Sequence, residues 1–328
     1  MRNRNIFIVF ILLGVTYSCI KDYDLQLEST QTRLVVDARI TNQDGPYLVR
    51  LTKSRLGLDV EPNQVNDGDT VHSYYFQQDG TQAVKDAEVF ITDLNTLFTD
   101  TLVKCPTGTW NHREATNNYP AWSTFEVADT SILMGFYKTQ SIKGIVGHTY
   151  ALTIKWQGRE YHAESFMPPV ASLDSVQFKF TEGAVGKSDY NIPLIFFKEP
   201  QNERNYFLFI TPGNNRVWPY SILSDEYLND YVNGLDVCKG EAPDYWMNGY
   251  PDTWMSDYFI EMHSLTKEAY DYYKALIQQF RTDGGGYSPS PASPPTNMDN
   301  GALGFFRASA VNRVDFKREY PNEGDMIP

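Results

Sequence analysis

The stretch LVVDARITNQDGPYLVRLT, residues 34–52, decides the fold class of this chain. Apolar side chains recur at every second position from Leu34 to Ile40 and again from Tyr47 to Leu51. The residues between the two runs, Asn-Gln-Asp-Gly-Pro at 42–46, favour a turn. Alternation with a period of two is typical of a strand with one buried face, and a short turn joins antiparallel neighbours. The stretch therefore predicts a β-hairpin.

The same alternation recurs through the first half of the chain. It is seen at 87–92 and at 150–156, and a Gln157-Gly158 turn leads back through 161–163. Short alternating strands separated by turns predict an antiparallel β-sandwich, either immunoglobulin-like or transthyretin-like, over 31–166. No strand-then-helix alternation is seen, which excludes a doubly wound parallel sheet.

The motif Met-Pro-Pro-Val at 167–170 interrupts the strand pattern, because proline fixes φ and lacks a backbone donor. We take 167–171 as a Pro-rich joint and 172–328 as a second β-rich domain. Further alternating or apolar strand segments lie at 176–180, 194–197 and 206–210. Apolar residues at helical spacing predict one amphipathic helix over 265–281, and Gly284-Gly285-Gly286 stops it.

Charge and composition limit the classes of partner. The 328 residues include 41 acidic and 28 basic side chains, for a formal net charge of −13. A protein that binds nucleic acid needs a concentrated positive face, so we expect no nucleic-acid partner. Aromatic residues make up 14% of the chain, a level that suits β-sheets and contact surfaces.

The N-terminus has the pattern of a secretory signal peptide over 1–18. Arg2 and Arg4 precede a short apolar region at 6–15. That region is too short for the roughly 20 apolar residues that span a bilayer. We therefore expect the leader to be cleaved and the rest of the chain to be exported.

Cys19 follows the apolar region directly and predicts a bacterial lipoprotein, in which the thiol takes diacylglycerol and the new amine is acylated. Several acyl chains on one residue hold a protein firmly in a membrane. The alternative is a plain cleaved signal, since Thr16 stands where such signals usually have Leu. Under the first interpretation 19–30 is a lipidated tether in the outer-membrane leaflet.

The tether is charged immediately after Cys19, at Lys21, Asp22 and Asp24. An acidic segment at this place resembles the surface-export signal of Bacteroidetes lipoproteins, and it predicts an outward-facing location on the cell surface. The alternative is that the carboxylates only solvate a linker.

Two further cysteines, Cys105 and Cys238, remain once Cys19 is acylated. In an oxidising compartment they are candidates for one disulfide, and the alternative is two buried thiols. No C-x-x-C pair accompanies them, so the sequence predicts no metal site at these cysteines.

The motifs of common enzyme classes are missing from the sequence. None of the five His lies in an H-E-x-x-H or H-x-H arrangement, and no G-x-S-x-G nucleophile motif occurs. Paired carboxylates for glycoside hydrolysis remain an open alternative among 41 acidic residues. We expect a protein without catalytic residues, metal or cofactor.

Many short motifs, in a fixed order, resemble the Bacteroidetes lipoprotein family catalogued as domain of unknown function 4249. They are the leader with Cys19, the hairpin at 34–51, the runs 144–150, 167–169 and 174–175, and the C-terminal segments 224–226, 264–279, 294–297 and 301–309. The resemblance covers nearly the whole mature chain. It supplies no catalytic residues. It implies an envelope lipoprotein, often encoded with a TonB-dependent outer-membrane transporter.

An aromatic segment at 239–258 is the strongest candidate for a partner or ligand surface. Large rings alternate there with acidic and amide side chains, and two more aromatics precede it; together they are Trp218, Tyr220, Tyr245, Trp246, Tyr250, Trp254 and Tyr258. Such rings are enriched in binding hot spots. The alternative is a structural lid folded over the second domain's core.

Two functional hypotheses follow. The first is a surface-exposed, non-catalytic lipoprotein that acts as an accessory or ligand-capturing partner of a TonB-dependent transporter. The second is a structural or assembly subunit of an outer-membrane protein complex. The two differ in the partner that the aromatic surface contacts.

Overall fold

The computed structural model of the chain describes residues 32–54, 82–105, 135–181, 190–200, 203–210, 222–228, 230–237, 258–281 and 293–316. This part of the chain is mostly β, with one α-helix, α1 (Lys267–Arg281). In chain order the strands are β1 (Leu34–Thr41), β2 (Leu48–Lys53), β3 (Gln82–Ala83), β4 (Glu88–Asp93), β5 (Phe98–Thr101), β6 (Val103–Lys104), β7 (Phe136–Lys138), β8 (Thr149–Trp156), β9 (Arg159–Phe166), β10 (Leu173–Thr181), β11 (Tyr190–Lys198), β12 (Tyr206–Ile210), β13 (Ile222–Ser224), β14 (Tyr231–Asp236), β15 (Tyr258–Leu265), β16 (Leu303–Ser309) and β17 (Val311–Phe316).

The first sheet is built around the predicted hairpin, which the structure confirms. Strands β1 and β2 pair antiparallel, with Val36 opposite Leu51. The strand order is β16-β1-β2-β7-β6, and β3 also pairs with β2. The alternation in the sequence has its expected consequence, since every second residue of β1 from Leu34 to Ile40 is buried.

The second sheet has the order β5-β4-β8-β9 and is antiparallel throughout. One hydrophobic core contains side chains from both sheets. Its members include Leu34, Val36, Ala38 and Ile40 of β1, Val89 and Ile91 of β4, Leu152 and Ile154 of β8, and Phe306 and Ala308 of β16. The two sheets therefore bury their apolar faces together.

Strand β16 lies in the predicted C-terminal domain, 172–328, but it pairs with β1 of the first sheet. The pairing is parallel and runs from Val35 opposite Leu303 to Thr41 opposite Ser309. This parallel pair was not part of the antiparallel sandwich predicted over 31–166, because a parallel partner from the far end of the chain leaves no local turn signal. The two strands approach each other closely at Gly304, which has φ +91°. A Cβ atom built at this position would lie only 1.8 Å from the Val36 carbonyl oxygen.

Two more sheets, β10-β11-β14 and β13-β12-β15-β17, share a second core. Its members include Ile195, Phe197, Phe207, Phe209, Ile260 and Met262. On the other face of the second of these sheets, Leu208 and Leu265 pack with Ala269 of α1 and with Phe305 of β16. Helix α1 therefore lies against both β15 and β16. It begins at Lys267, two residues later than predicted, because Leu265 ends β15.

Candidate functional site

An exposed apolar surface lies at one end of the β4–β8 sheet. We call it the apolar rim, and its members are Leu94, Leu97, Phe98, Ile145, Val146 and Phe166. Leu97 is the most exposed of them, at 78%. It lies in the turn between β4 and β5 and has a left-handed backbone, with φ +62°. None of these side chains is an acid, a base or a nucleophile, so the rim can offer apolar contact and no chemistry.

Backbone and side-chain hydrogen bonds hold the β4–β5 turn against the start of β8. The Leu94 amide donates to the Thr149 carbonyl at 2.9 Å, and the Thr149 amide donates to Asn95 Oδ1 at 2.9 Å. The Leu97 amide donates to the Asp93 carbonyl at 2.7 Å. The turn is thus fixed at both of its ends.

The loop that carries Ile145 and Val146 is fixed in the same way. The Ile145 amide donates to the Tyr150 hydroxyl at 2.6 Å, and the Gly147 amide donates to the Met167 carbonyl at 2.9 Å. The Met167 amide returns a bond of 2.9 Å to the His148 carbonyl. Phe166 is therefore held beside this loop, and the rim is a preformed surface.

A buried carboxylate ties the two loops of the rim together. Asp93 Oδ2 lies 2.8 Å from His148 Nδ1, and Asp93 Oδ1 accepts from the amides of Asn95 and Thr96 at 2.9 and 3.3 Å. Burial by itself raises the pKa of Asp93, but the hydrogen bonds from His148, Asn95 and Thr96 outweigh it and hold that pKa below its ordinary value. Asp93 is therefore ionised and organises the rim.

A second polar cluster lies inside the molecule, where β15 and β17 meet β1 and β16. We call it the charge junction, and its members are Arg39, Glu261, His263, Arg307 and Arg313. Glu261 Oε2 lies 3.0 Å from His263 Nε2, and Glu261 Oε1 accepts from Arg313 Nη1 at 3.1 Å. Glu261 and Arg313 are register partners on β15 and β17, so the strand pairing brings their side chains together.

Burial determines the protonation of His263 in the charge junction. It lowers the pKa of His263 to about 4, and the charges of Arg307 and Arg39 act in the same direction, so the ring is neutral at pH 7. Burial by itself raises the pKa of Glu261. The hydrogen bond from His263 and the positive charges of Arg313 and Arg39 outweigh that effect, so the pKa of Glu261 is below its ordinary value.

Arg39 and Arg307 stand side by side on β1 and β16, where their Cα atoms are register partners. The Arg307 guanidinium lies 5.5 Å from the centre of the Tyr273 ring of α1. The neighbouring Tyr272 stacks on Phe305 with ring centres 5.0 Å apart. Burial, together with the negative charge of Asp37, raises the pKa of the Tyr272 hydroxyl. The junction thus joins the first sheet, α1 and the sheet of β15.

An acidic cavity of about 400 Å³ opens beside β11 and β12. It is lined by Glu199, Pro200, Glu203, Arg204, Asp225, Glu226 and Leu228. Glu199 Oε1 accepts from Asn205 Nδ2 at 3.0 Å, and Arg204 Nη1 lies 3.5 Å from Asp225 Oδ1. Burial and the charges of nearby carboxylates raise the pKa of Glu199, against the opposing hydrogen bond from Asn205. The cavity suits a small cationic group better than an anion.

No group of three or more His, Cys, Asp or Glu side chains in the described ranges could hold a metal ion. None of the helices in those ranges is long and apolar enough to cross a membrane.

Comparison with known proteins identifies the family. The model of the family described as domain of unknown function (DUF4249) matches residues 20–314. The chain belongs to the DUF4249 family. No curated protein and no solved structure matches it significantly. In this DUF4249 protein the matched segment includes the apolar rim, the charge junction and the acidic cavity.

Most of the site residues predicted from the sequence of this DUF4249 protein lie outside the described residues. They are Cys19, Lys21, Asp22, Asp24, Trp218, Tyr220, Cys238, Tyr245, Trp246, Tyr250 and Trp254. Tyr258 is the first residue of β15, where its backbone pairs with Phe316. Cys105 is buried. The lipidation, the export tether, the disulfide and the aromatic surface therefore stay predictions.

The apolar rim and the charge junction were not predicted from the sequence. A weak signal for the rim was present, since the turn residues Leu94, Leu97 and Phe98 are apolar where a β-turn is usually polar. The charge junction had no such signal, because Arg39 and Arg307 meet only through the long-range pairing of β1 with β16.

Proposed function

We propose that this DUF4249 protein is a surface-exposed outer-membrane lipoprotein, anchored through acylated Cys19. In this proposal it acts without catalysis, as an accessory or ligand-capturing partner of a TonB-dependent transporter or another envelope protein. Lys21, Asp22 and Asp24 direct it to the outer face of the membrane.

The apolar rim is the observation that carries the proposal. Exposed apolar side chains that cluster on one surface are typical of protein interaction sites. The rim is also held in place before any partner binds, through the Asp93–His148 contact and the backbone bonds of both loops. A preformed surface loses little conformational entropy on binding, which favours affinity.

The position of the anchor supports the same proposal. The family match begins at residue 20, directly after Cys19. The first strand, β1, begins at Leu34. It lies between β2 and β16 in the middle of a sheet. The intervening segment, if extended, reaches roughly 50 Å at 3.3–3.6 Å per residue. A lipid on Cys19 would therefore hold the described fold within that distance of the membrane surface.

We further propose that the first two sheets form an immunoglobulin-like or transthyretin-like sandwich. Their shared core and the antiparallel pairing of β1 with β2 support this. Folds of this kind place their binding residues on the loops at one end of the sandwich. The apolar rim has such a position, at the ends of β4, β8 and β9.

Affinity purification from detergent-solubilised membranes, followed by mass spectrometry, tests the proposal. We expect the tagged full chain to recover a TonB-dependent transporter, and the Cys19→Ala variant to be lost from the membrane fraction. Recovery of an assembly or secretion complex would support the alternative, a structural subunit. A Cys19→Ala variant that fractionates like the natural chain and an N-terminal peptide without lipid mass would overturn the anchoring part of the proposal.

A further inference from the structure

The charge junction contains a buried guanidinium, that of Arg307, two of whose nitrogen atoms have no hydrogen-bond partner among the described residues. Arg307 is only 2% exposed, and neither Nε nor Nη1 of its guanidinium has a hydrogen-bond partner. The guanidinium lies over the face of the Tyr273 ring, 5.5 Å from its centre. Such a ring attracts a cation but accepts no strong hydrogen bond.

The nearby carboxylates are engaged elsewhere. Glu261 is bonded to His263 and Arg313, and Arg313 is also bonded to Asp315. Asp37, on the same face of β1 as Arg39, has an interaction of its own and is not a hydrogen-bond partner of Arg307 Nε or Nη1. His263 brings no charge at neutral pH, since burial keeps its ring deprotonated.

An unpaired Arg in a protein interior is costly. A buried Lys or His can lose its proton and become neutral, but a guanidinium keeps its charge at every pH at which the protein is folded. Desolvation of such a charge costs several kcal/mol unless hydrogen bonds and an opposite charge offset it. The arrangement around Arg307 therefore lacks a negatively charged partner.

Ser309 adds a third hydrogen-bonding group to the same face. It lies two residues beyond Arg307 in β16, and side chains two apart point to the same side of a strand. It is fully buried, and its hydroxyl has no hydrogen-bond partner. Arg39, next to Arg307 across the β1–β16 pairing, is only half-buried, so the cluster approaches the surface there.

We propose that Arg307 and Ser309, with Arg39 at the entrance, form a binding site for a small oxyanion, a carboxylate or a phosphate. The guanidinium supplies charge-assisted hydrogen bonds from Nε and Nη1, and the hydroxyl of Ser309 supplies a third. The site lies between the first sheet, α1 and β15. A bound anion thus links the two halves of the molecule, and this inference is independent of the proposed membrane role.

Thermal melting of the purified full chain in matched salts tests the site. Sodium chloride is replaced stepwise by sodium acetate in one series and by sodium phosphate in another, at constant pH and ionic strength. Acetate tests for a carboxylate site and phosphate for a phosphate site. We expect a saturable rise in melting temperature with at least one of the two, because a ligand that binds only the folded state stabilises it.

Three variants assign the effect to this place. Arg307→Met removes the charge at similar length and should abolish the saturable rise, and Ser309→Ala should weaken the apparent affinity several-fold. Arg159→Gln, at the exposed first residue of β9, is the matched control and should respond as the natural chain does. If Arg307→Met does not fold, isothermal titration of acetate and phosphate into the natural chain and into Ser309→Ala decides the question.

Two results would overturn the proposal. In the first, the melting temperature of the natural chain does not change in either series, and titration gives no heat. This result would mean that water alone hydrogen-bonds to Arg307. The second is an equal saturable response in the natural chain, Arg307→Met and Ser309→Ala, which would place the anion elsewhere.

Discussion

The apolar rim and the charge junction depart from the usual distribution of side chains in opposite ways. The rim exposes apolar groups at the end of a sheet, with Leu97 78% exposed. The junction buries ionisable groups between sheets, with Glu261 and Arg307 at 5% and 2%. An exposed apolar cluster is typical of a surface that a partner covers, whereas a buried charge needs an opposite charge or hydrogen bonds within the fold.

The difference assigns separate roles to the two regions. The junction connects β1, which follows the tether, to β15 and α1, so changes there should affect the stability of the whole molecule. The rim lies outside both cores, so changes there should affect binding and leave stability intact. This contrast is testable, and the expected effects on stability decrease from the junction to the rim.

The largest effect is expected at Gly304, where β16 approaches β1. A Cβ at this position would lie 1.8 Å from the Val36 carbonyl oxygen, so Gly304→Ala must separate the two strands. We expect a loss of about 4 kcal/mol or more in the free energy of unfolding, as for other severe steric disruptions. Urea denaturation measures it.

Gly301→Ala is the matched control for Gly304. Gly301 also has a positive φ, +79°, but its Cβ position has no heavy atom within 4 Å. It should therefore lose only about 1 kcal/mol, the cost of the left-handed conformation. Equal losses in the two variants would mean that the β1–β16 contact is not tight.

The next effect is expected at Glu261. Glu261→Gln removes the buried one of the two carboxylates paired with Arg313 and disturbs the bond to His263. Loss of one partner from a buried ion pair costs about 3 kcal/mol. As a control, Asp271→Asn breaks the exposed Lys267–Asp271 pair on α1 and should lower the free energy of unfolding far less, because water screens an exposed pair. Similar losses in both variants would contradict the role assigned to the junction.

A pH dependence is expected from His263. Its pKa falls from the ordinary 6.5 to about 4 on folding, so the unfolded chain binds more protons between these values. The free energy of unfolding therefore has its full contribution from His263 above pH 6.5, and it loses that contribution as the pH decreases towards 4. Replacing the ring by an amide in His263→Gln should reduce the loss between pH 7 and 4.5 by about 2 kcal/mol. Denaturant melts at both pH values measure it, and an unchanged loss would contradict a buried neutral ring.

The smallest effect on stability is expected at the rim. The double variant Leu97→Ser and Val146→Ser replaces two exposed apolar side chains. Surface substitutions of this kind change the free energy of unfolding by no more than about 0.5 kcal/mol. A melting temperature many degrees lower would show that these residues belong to the core and that the rim is no binding surface.

The sequence predicted the local part of the fold well. Alternation at 34–40, 47–51, 87–92 and 150–156 predicted strands that the structure contains, and helical spacing predicted α1 within two residues at its start. These signals are local because a strand or helix with one buried face repeats with its own period. The predominantly β class followed directly from them.

The long-range strand pairing and the contacts that depend on it could not be predicted from the sequence. Nothing near 303–309 indicates that this strand joins the first sheet in parallel, and the charge junction exists only because of that pairing. The apolar rim depends on the contact of Asp93 with His148, which joins two separate loops. The sequence instead directed attention to the aromatic segment 239–258, whose role stays a prediction.

Quantitative partner recovery tests the central claim that the rim is the binding surface of a stable, non-catalytic envelope protein. The natural full chain and the variant with Leu97→Ser and Val146→Ser are purified from the same detergent-solubilised membranes, and co-purified proteins are quantified by mass spectrometry. We predict that the variant melts at the same temperature but recovers the partner at least ten-fold less. Undiminished recovery by the variant would contradict the claim and would leave 239–258 as the contact surface to test.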